Sequence, residues 1–232
     1  LSNYNPQTGE SINQTYWRFE PNFTYKFYPK SKKVNVHGPG LYWSEYVNSS
    51  FKTTERYMRL FYKFNFTDQS EFVAEANNRR VLLYWDTDVT FSSGDPISSG
   101  DYEFNSFRIA YESSKLKKLN YEFIADYGNY YLGKLLRVQG AIAFRTQPWG
   151  IFSLSFQQNE IVMPEPYKNV SLSLIGPKIE LSFTKALFLT AFVQYNTQAE
   201  NMNINTRLQY RFKPMSDLFI VYTDNYLPYN WS

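Results

Sequence analysis

The sequence predicts an all-β protein built as an antiparallel up-and-down transmembrane β-barrel. Three observations support this prediction: apolar and polar residues alternate in runs of roughly 10–15 residues, helical periodicity is absent, and short polar breaks separate the runs. Aromatic residues make up 20% of the 232 residues, which excludes disorder because disordered segments contain few aromatics. No stretch approaches the ~18 apolar residues of a membrane-spanning helix.

The predicted strands follow one another along the whole chain and number about twelve. The first strand covers Trp17 to Tyr28, where aromatic residues alternate with polar ones. The same alternation recurs over residues 58–66, 119–127, 136–145, 152–157, 187–195 and 202–212. Short breaks fall at Pro29–Lys32, Asp68–Ser70, Ser114–Lys117, Gln147–Trp149, Thr184–Ala186 and Pro214–Ser216. Longer or irregular breaks fall near Val47–Thr54, Asp86–Gly100, Asn129–Tyr131, Ile161–Asn169 and Ala199–Asn201.

Strand length and aromatic placement favour a membrane barrel. A tilted membrane strand needs about 9–11 residues, whereas soluble strands average about 5–6. Aromatic residues recur near the predicted strand ends, as they do at membrane interfaces, at Trp17, Trp43, Trp85, Trp149 and Tyr226. We therefore predict the bacterial outer membrane as the location and its lipid bilayer as the partner. A soluble periplasmic β-protein, which would bury the apolar face, remains an alternative.

The whole chain is predicted to be one barrel segment, residues 1–232, belonging to a larger barrel. If the short breaks are periplasmic turns, the first predicted strand begins on the outer side and the last predicted strand ends there. A complete bacterial outer-membrane barrel normally has an even number of strands and both termini in the periplasm. We therefore expect an odd number of strands before Leu1 and at least one strand after Ser232.

Three segments resemble one Bacteroidota family of outer-membrane barrels. They are SGDYEFNSFRIAYESSKLKKL (Ser99–Leu119), DYGNYYLGK (Asp126–Lys134) and the more specific Gly176–Tyr226. That family has no known function, and its barrel follows an N-terminal domain similar to family-9 carbohydrate-binding modules. The resemblance implies that this chain is the C-terminal part of a larger barrel. Any link to carbohydrate that it implies would lie in a domain outside this chain.

Charged residues on the polar sides of the strands are the candidate binding residues. These are Arg137, Arg145, Arg207, Arg211, Glu122 and Asp126. One interpretation is a charged lumen that selects solutes. The other is a neutralised ladder of charges that fills the barrel wall.

No catalytic constellation is evident, so we do not predict an enzyme. A barrel hydrolase would need a Ser–His pair. His37 is the one histidine of the chain, and Ser44 is the nearest serine downstream. Glu122 and Asp126 lie about 13 Å apart along a strand, too far for a glycosidase pair. A pair across strands stays open, and so does an outer-membrane hydrolase as an alternative.

The sequence contains no motif for a cofactor. It has no cysteine and a net charge of +3 without basic clusters, so neither thiolate metal sites nor nucleic acid binding is expected. We expect no metal, although a carboxylate-only calcium site at Asp86, Asp88, Asp95 and Asp101 is an alternative. The leading function is a channel, receptor or assembly component of the cell envelope. Its expected partners, besides lipid, are other outer-membrane or surface proteins.

Overall fold

The computed structural model describes residues 2–4, 9, 11–13, 15–90, 94–197 and 200–227. Within these ranges the regular structure consists of fifteen β-strands, and none of it is helical. The described part of the chain accordingly offers no helix long and apolar enough to cross a membrane. The all-β prediction is confirmed.

Four short strands precede eleven long ones. The short strands are β1 (Ser2–Tyr4), β2 (Ser11–Asn13), β3 (Tyr16–Phe19) and β4 (Asn22–Thr24). The long strands are β5 (Val34–Asn48), β6 (Thr53–Phe66), β7 (Glu71–Leu83), β8 (Gly100–Glu112), β9 (Leu119–Tyr130), β10 (Gly133–Thr146), β11 (Gly150–Val162), β12 (Val170–Ser182), β13 (Leu187–Asn196), β14 (Asn201–Lys213) and β15 (Ser216–Tyr226). Their lengths run from 10 to 15 residues, as the alternation predicted.

The long strands form a single antiparallel meander. β1 and β2 make a separate two-stranded sheet, and the remaining strands make one sheet of 13 strands. Each strand from β5 to β15 pairs with the next along the chain, which is the predicted up-and-down order. β3 and β4 pair with β5 at one edge, and β15 forms the other edge. Among the described residues the two edges do not pair with each other, so the sheet is open.

Strand pairing sorts the side chains onto two faces, because successive residues of a strand point in opposite directions. On the face that we call the apolar face, Ile142 lies between Tyr121 and Leu154 of the neighbouring strands. On the opposite face, the polar face, Arg137 lies beside Asp126. The same division continues strand by strand through the sheet.

The predicted strand from Trp17 to Tyr28 is interrupted in the structure. It divides into β3 and β4, and Pro21 lies in the gap. Proline has no N–H to donate to a strand ladder, but the Pro21 carbonyl still accepts a 3.1 Å hydrogen bond from the Trp43 amide of β5. A single bridge between Phe27 and His37 continues the pairing. The predicted pairing position is therefore correct, but the predicted continuity is wrong.

The connections lie at two ends of the sheet. Turns at the turn end join β6 to β7, β8 to β9, β10 to β11, β12 to β13 and β14 to β15, at the predicted short breaks. At the opposite end, the loop end, residues 84–99 make a long connection between β7 and β8. The longer break predicted at Asn129–Tyr131 is instead a tight turn at residues 131–132, because β9 extends to Tyr130 and β10 begins at Gly133.

Buried hydrophobic residues are few, and three of them cluster at the loop end. Val89, Ile97 and Met163 form this cluster within the described residues. Large side chains on the apolar face are exposed instead, such as Leu60 at 58% and Phe107 at 67%. The described core therefore lies under one loop and not between two layers of structure.

Candidate functional site

All six charged residues predicted to line a lumen lie on the polar face, but the structure brings only two of them together. Asp126 of β9 and Arg137 of β10 are directly opposite in the strand register. Glu122 and Arg145 lie nearer the turn end. There, Nη1 of Arg145 donates a 2.7 Å hydrogen bond to the Lys115 carbonyl. That contact shows a structural use for Arg145.

The other two predicted residues lie on β14, four strands away from β10. The guanidinium of Arg207 lies 5.8 Å from the centre of the Phe219 ring, in cation–π contact. Arg211 forms a 3.1 Å ion pair with Asp217 of the adjacent β15. Neither arginine lies beside Asp126 and Arg137.

A cleft of about 410 Å³ lies over the polar face between β5 and β10. Its charged polar-face residues are Glu55, Arg79, Arg108, Asp126 and Arg137. The hydroxyl of Tyr57 in its wall donates a 3.0 Å hydrogen bond to Oδ1 of Asn77. A concave site of this size with a few convergent polar groups is typical of small-molecule binding sites. We call it the arginine cleft.

Glu75 is the central carboxylate beside the arginine cleft, and its side chain is only 9% exposed. Nη1 of Arg59 lies 3.4 Å from its Oε1, and Nε of Arg108 lies 4.0 Å from its Oε2. Nε of Arg108 also lies 3.9 Å from Oδ1 of Asp126. A row of alternating charges therefore crosses β6, β7, β8 and β9.

Sequence reasoning did not include Arg59, Glu75, Arg79 or Arg108 among the candidate binding residues. The alternation in β6, β7 and β8 would assign these residues to the polar face. Their convergence depends on register, because Glu75 is opposite Arg108 and Arg108 is opposite Asp126. A single strand pattern cannot supply that register.

The connection between β7 and β8 folds over the loop end of the polar face. Thr87 and Ile97 exchange two backbone hydrogen bonds of 3.0 and 2.9 Å. The Tyr130 hydroxyl of β9 donates a 2.8 Å hydrogen bond to the Val89 carbonyl. We call residues 84–90 and 94–99 the loop cap; residues 91–93 lie outside the described residues.

The loop cap is held in place by apolar packing. Ile97 is 1% exposed and packs with Val89 and Met163. Tyr130 and Tyr131 pack against this cluster, with ring centres 4.9 Å apart. Burial raises the pKa of the Tyr131 phenol, so the ring stays neutral near physiological pH. Because Tyr130 also lines the arginine cleft, the loop cap borders that cleft.

His37 and Ser44 point to opposite faces of β5. His37 stacks with Phe27 and Phe64 on the apolar face, and its Nδ1 lies 2.7 Å from the Tyr62 hydroxyl. Ser44 lines the arginine cleft on the polar side. The two residues do not form a Ser–His pair, because the neighbours of His37 are aromatic side chains on the opposite face.

Predicted interface aromatics occur at both ends of the strands. Trp17, Trp85 and Tyr226 lie toward the loop end, and Trp149 lies in a turn at the turn end, whereas Trp43 lies inside β5, five residues before its last residue. Trp17 and Trp149 are 56% and 65% exposed. Their role at a lipid interface stays a prediction.

Asp86 and Asp101, two of the four acids considered for calcium, have separate partners. Oδ1 of Asp86 accepts a 2.8 Å hydrogen bond from the Ser99 amide, and Asp101 forms an ion pair with Arg80. Within the described ranges, no group of three or more histidine or carboxylate residues is placed to hold a metal ion.

Comparisons with known proteins identify no relative. No family model matches the chain, and no match was found among curated proteins or solved structures.

Proposed function

We propose that this chain forms the wall of a β-barrel in the bacterial outer membrane and that its polar face lines a passage for hydrophilic solutes. The observation that carries the proposal is the apolar face, because no second layer of the described protein packs against it. Leu60, Phe107 and Ile109 are 58%, 67% and 46% exposed there. A soluble sandwich would bury such side chains between its two sheets.

The accessible surface measures 15938 Å², whereas a compact soluble monomer of 27.5 kDa exposes about 11,000 Å². This excess is the area of an open sheet with both faces uncovered. Soluble monomers rarely expose apolar patches above a few hundred Å². Hydrocarbon is the medium that accepts a long apolar face without a covering layer. Water on the polar face then hydrates the charged side chains.

A membrane barrel requires partners for both sheet edges, because hydrocarbon does not tolerate unpaired backbone groups. The proposal therefore includes closure, in which the edges pair with each other or with further strands. β15 is one of these edges. Its consecutive residues Phe219 and Ile220 point to opposite faces of the sheet and are 49% and 61% exposed. Pairing would cover the backbone of β15 and leave one face to lipid.

Membership of the Bacteroidota barrel family belongs to the same proposal. It is based on the resemblance of residues 99–119, 126–134 and 176–226, which in this fold form parts of β8 to β10 and β12 to β15. The proposed partners are the lipid bilayer and other envelope proteins. No contact of His37 favours the hydrolase alternative, since its ring lies on the face opposite Ser44.

Two neighbouring substitutions test which face meets lipid. Leu208 lies on the apolar face of β14, opposite Leu189 and Ile220, and Gln209 follows on the polar face. We expect Leu208→Arg to lower the free energy of unfolding in lipid vesicles by about 2–4 kcal/mol. Gln209→Arg is the matched control, with an expected loss below about 1 kcal/mol. Equal effects of the two substitutions would contradict the lipid-facing assignment.

Extraction and conductance test the rest of the proposal. The protein should require detergent for extraction and should migrate faster on gels when it is not boiled. Insertion into planar bilayers should produce discrete conductance steps. A protein that remains in the aqueous fraction would overturn the membrane assignment. Stable insertion without conductance would support the membrane barrel but contradict the proposed passage for solutes.

A further inference from the structure

Three charged side chains meet in the arginine cleft without hydrogen bonds to one another. Arg137 is directly opposite Asp126, yet its hydrogen bond runs from Nε to Oδ1 of Asn159 at 3.3 Å. Nε of Arg108 is 3.9 Å from Oδ1 of Asp126, beyond hydrogen-bond distance. Oδ2 of Asp126 is buried and has no hydrogen-bond partner among the described residues. Seven described residues have such an atom, and Asp126 is the one acid among them; a buried polar atom normally has a partner.

Elsewhere on the sheet, charges pair closely. Arg211 and Asp217 are 3.1 Å apart, and Lys178 and Glu180 are 2.9 Å apart. These short pairs are what a neutralised ladder of charges requires. At the arginine cleft, Asp126 instead lies 3.9 Å from Nε of Arg108, and Arg137, which is opposite Asp126, donates its hydrogen bond to Asn159. This difference favours a binding site over a structural ladder.

The chemistry of the unsatisfied groups defines the ligand. A guanidinium donates up to five hydrogen bonds and suits a planar oxyanion, and an ionised carboxylate only accepts. The exposed side chain of Arg79, which lines the arginine cleft, makes no hydrogen bond or ion pair within the described part of the chain. A ligand that satisfies this site carries an oxyanion for Arg137 and a hydrogen-bond donor for the Asp126 carboxylate.

We propose that the arginine cleft binds a small solute whose carboxylate lies next to a hydroxyl or ammonium group. The carboxylate contacts Arg137, and the adjacent donor contacts the carboxylate of Asp126, which lies opposite Arg137 in the register. The inference rests on the proposed function, since it names the class of solute that the passage selects. A hydroxy acid and an amino acid both have this chemistry. The cleft volume of about 410 Å³ lies within the range of small-molecule sites.

Titration calorimetry on the detergent-solubilised protein tests the site with three probes. Gluconate carries a carboxylate beside hydroxyls, glycine carries a carboxylate beside an ammonium, and acetate carries a carboxylate alone. Gluconate or glycine should bind at least tenfold more tightly than acetate, and the tighter of the two identifies the natural class. If acetate binds as tightly as both other probes, or if none of them binds, the proposal is overturned.

Single substitutions identify the residues that contribute to binding of the probe. Arg137→Gln should weaken the preferred probe at least tenfold, and Asp126→Asn should reduce its affinity toward that of acetate. Arg207→Gln is the control, because Arg207 lies on the same face outside the arginine cleft; its effect should stay within twofold. Equal losses from Arg137→Gln and Arg207→Gln would overturn the proposed site in favour of a general charge effect.

Folding and conductance are monitored separately. The circular dichroism of each variant should retain the strand signal; if Arg137→Gln loses it, Arg137→Lys keeps the charge but removes the planar donor pair, and it should still weaken binding. Binding without conductance would support the binding site and contradict the proposed passage. Conductance without preference for a donor-bearing carboxylate would support the passage and contradict the binding site.

Discussion

The two halves of the large sheet share the same alternation of apolar and polar side chains but differ in the groups on the polar face. The N-terminal half-sheet, β5 to β10, carries a row of charges on its polar face, and the loop cap borders the cleft above that row. The C-terminal half-sheet, β11 to β15, combines amide and hydroxyl side chains with exposed ion pairs on the same face. Glu75 in the first half has a 9% exposed side chain, whereas Glu180 in the second half is 41% exposed.

Hydrogen bonding differs between the halves in the same way. In the C-terminal half-sheet, Nδ2 of Asn205 donates a 3.0 Å hydrogen bond to Oγ1 of Thr223 across strands. In the N-terminal half-sheet, Arg59 and Arg108 share the single carboxylate of Glu75. Neutral amides satisfy one another in pairs, but buried charges depend on a network. A strand pattern therefore identifies the polar face, and burial determines how much each polar group on that face contributes to the free energy of unfolding.

The first expected contrast is between Glu75→Gln and Glu180→Gln. Glu75→Gln leaves Arg59 and Arg108, whose side chains are 36% and 35% exposed, without their shared carboxylate, at an expected cost of about 1.5–3 kcal/mol in unfolding free energy. Glu180→Gln breaks an exposed pair with Lys178 and should cost less than about 1 kcal/mol. Denaturant unfolding in lipid vesicles measures both values. Similar costs would mean that burial does not distinguish the two halves.

The loop cap provides the second contrast. Ile97→Ala removes the most buried apolar side chain of the described cluster and should destabilise the cap by about 2–4 kcal/mol. Hydrogen exchange at the Thr87 and Ile97 amides should then become faster, because these amides hold the cap together. Met215→Ala, in a fully exposed turn of the C-terminal half-sheet, is the control and should leave these amides unchanged. Unchanged exchange in Ile97→Ala would argue against a packed cap.

Glycine substitutions give a smaller contrast. A Cβ at Gly128 would lie 2.3 Å from the Asn105 carbonyl oxygen, which is backbone and cannot move aside. A Cβ at Gly176 would meet Oγ of Ser155 at 2.8 Å and the Phe192 ring at 3.0 Å, both on side chains that can shift. Overpacking costs about 1–3 kcal/mol, so Gly128→Ala should lose about 2–3 kcal/mol and Gly176→Ala less than about 1 kcal/mol. Unfolding midpoints of the two variants test this order.

The smallest contrast depends on pH at the turn end. Hydrogen bonds from Lys117 and Ser70 hold the pKa of Asp68 well below its ordinary value of 3.8. Stability from this carboxylate is therefore complete above that value and is lost as the pH falls from about 4 toward the depressed folded-state pKa. The corresponding turn of the C-terminal half-sheet uses the neutral Thr184 hydroxyl, which accepts hydrogen bonds from the Ala186 and Leu187 amides.

Asp68→Asn should remove this part of the acid dependence, and Thr184→Ala should lower stability by the same amount at every pH. Unfolding midpoints measured between about pH 3 and 6 test both expectations. An unchanged acid slope in Asp68→Asn would contradict the assignment of the low pKa to this contact.

Sequence alternation by itself determined the fold class, the long strands, their order and the two faces. These features are local: side chains of a strand alternate with period two, and short polar breaks turn the chain back on its neighbour. The same local pattern correctly assigned Asp126 and Arg137 to one face. It did not detect the break at Pro21, where the missing N–H interrupts the edge strand.

Tertiary structure alone decided which polar residues meet. Glu75 reaches Arg59 and Arg108 through the register of three strands, and register is set by pairing along whole strands. The loop cap likewise depends on contacts between residues far apart in sequence, such as Val89 and Met163. Alternation constrains each strand separately, whereas a binding cleft requires several strands to be aligned with one another.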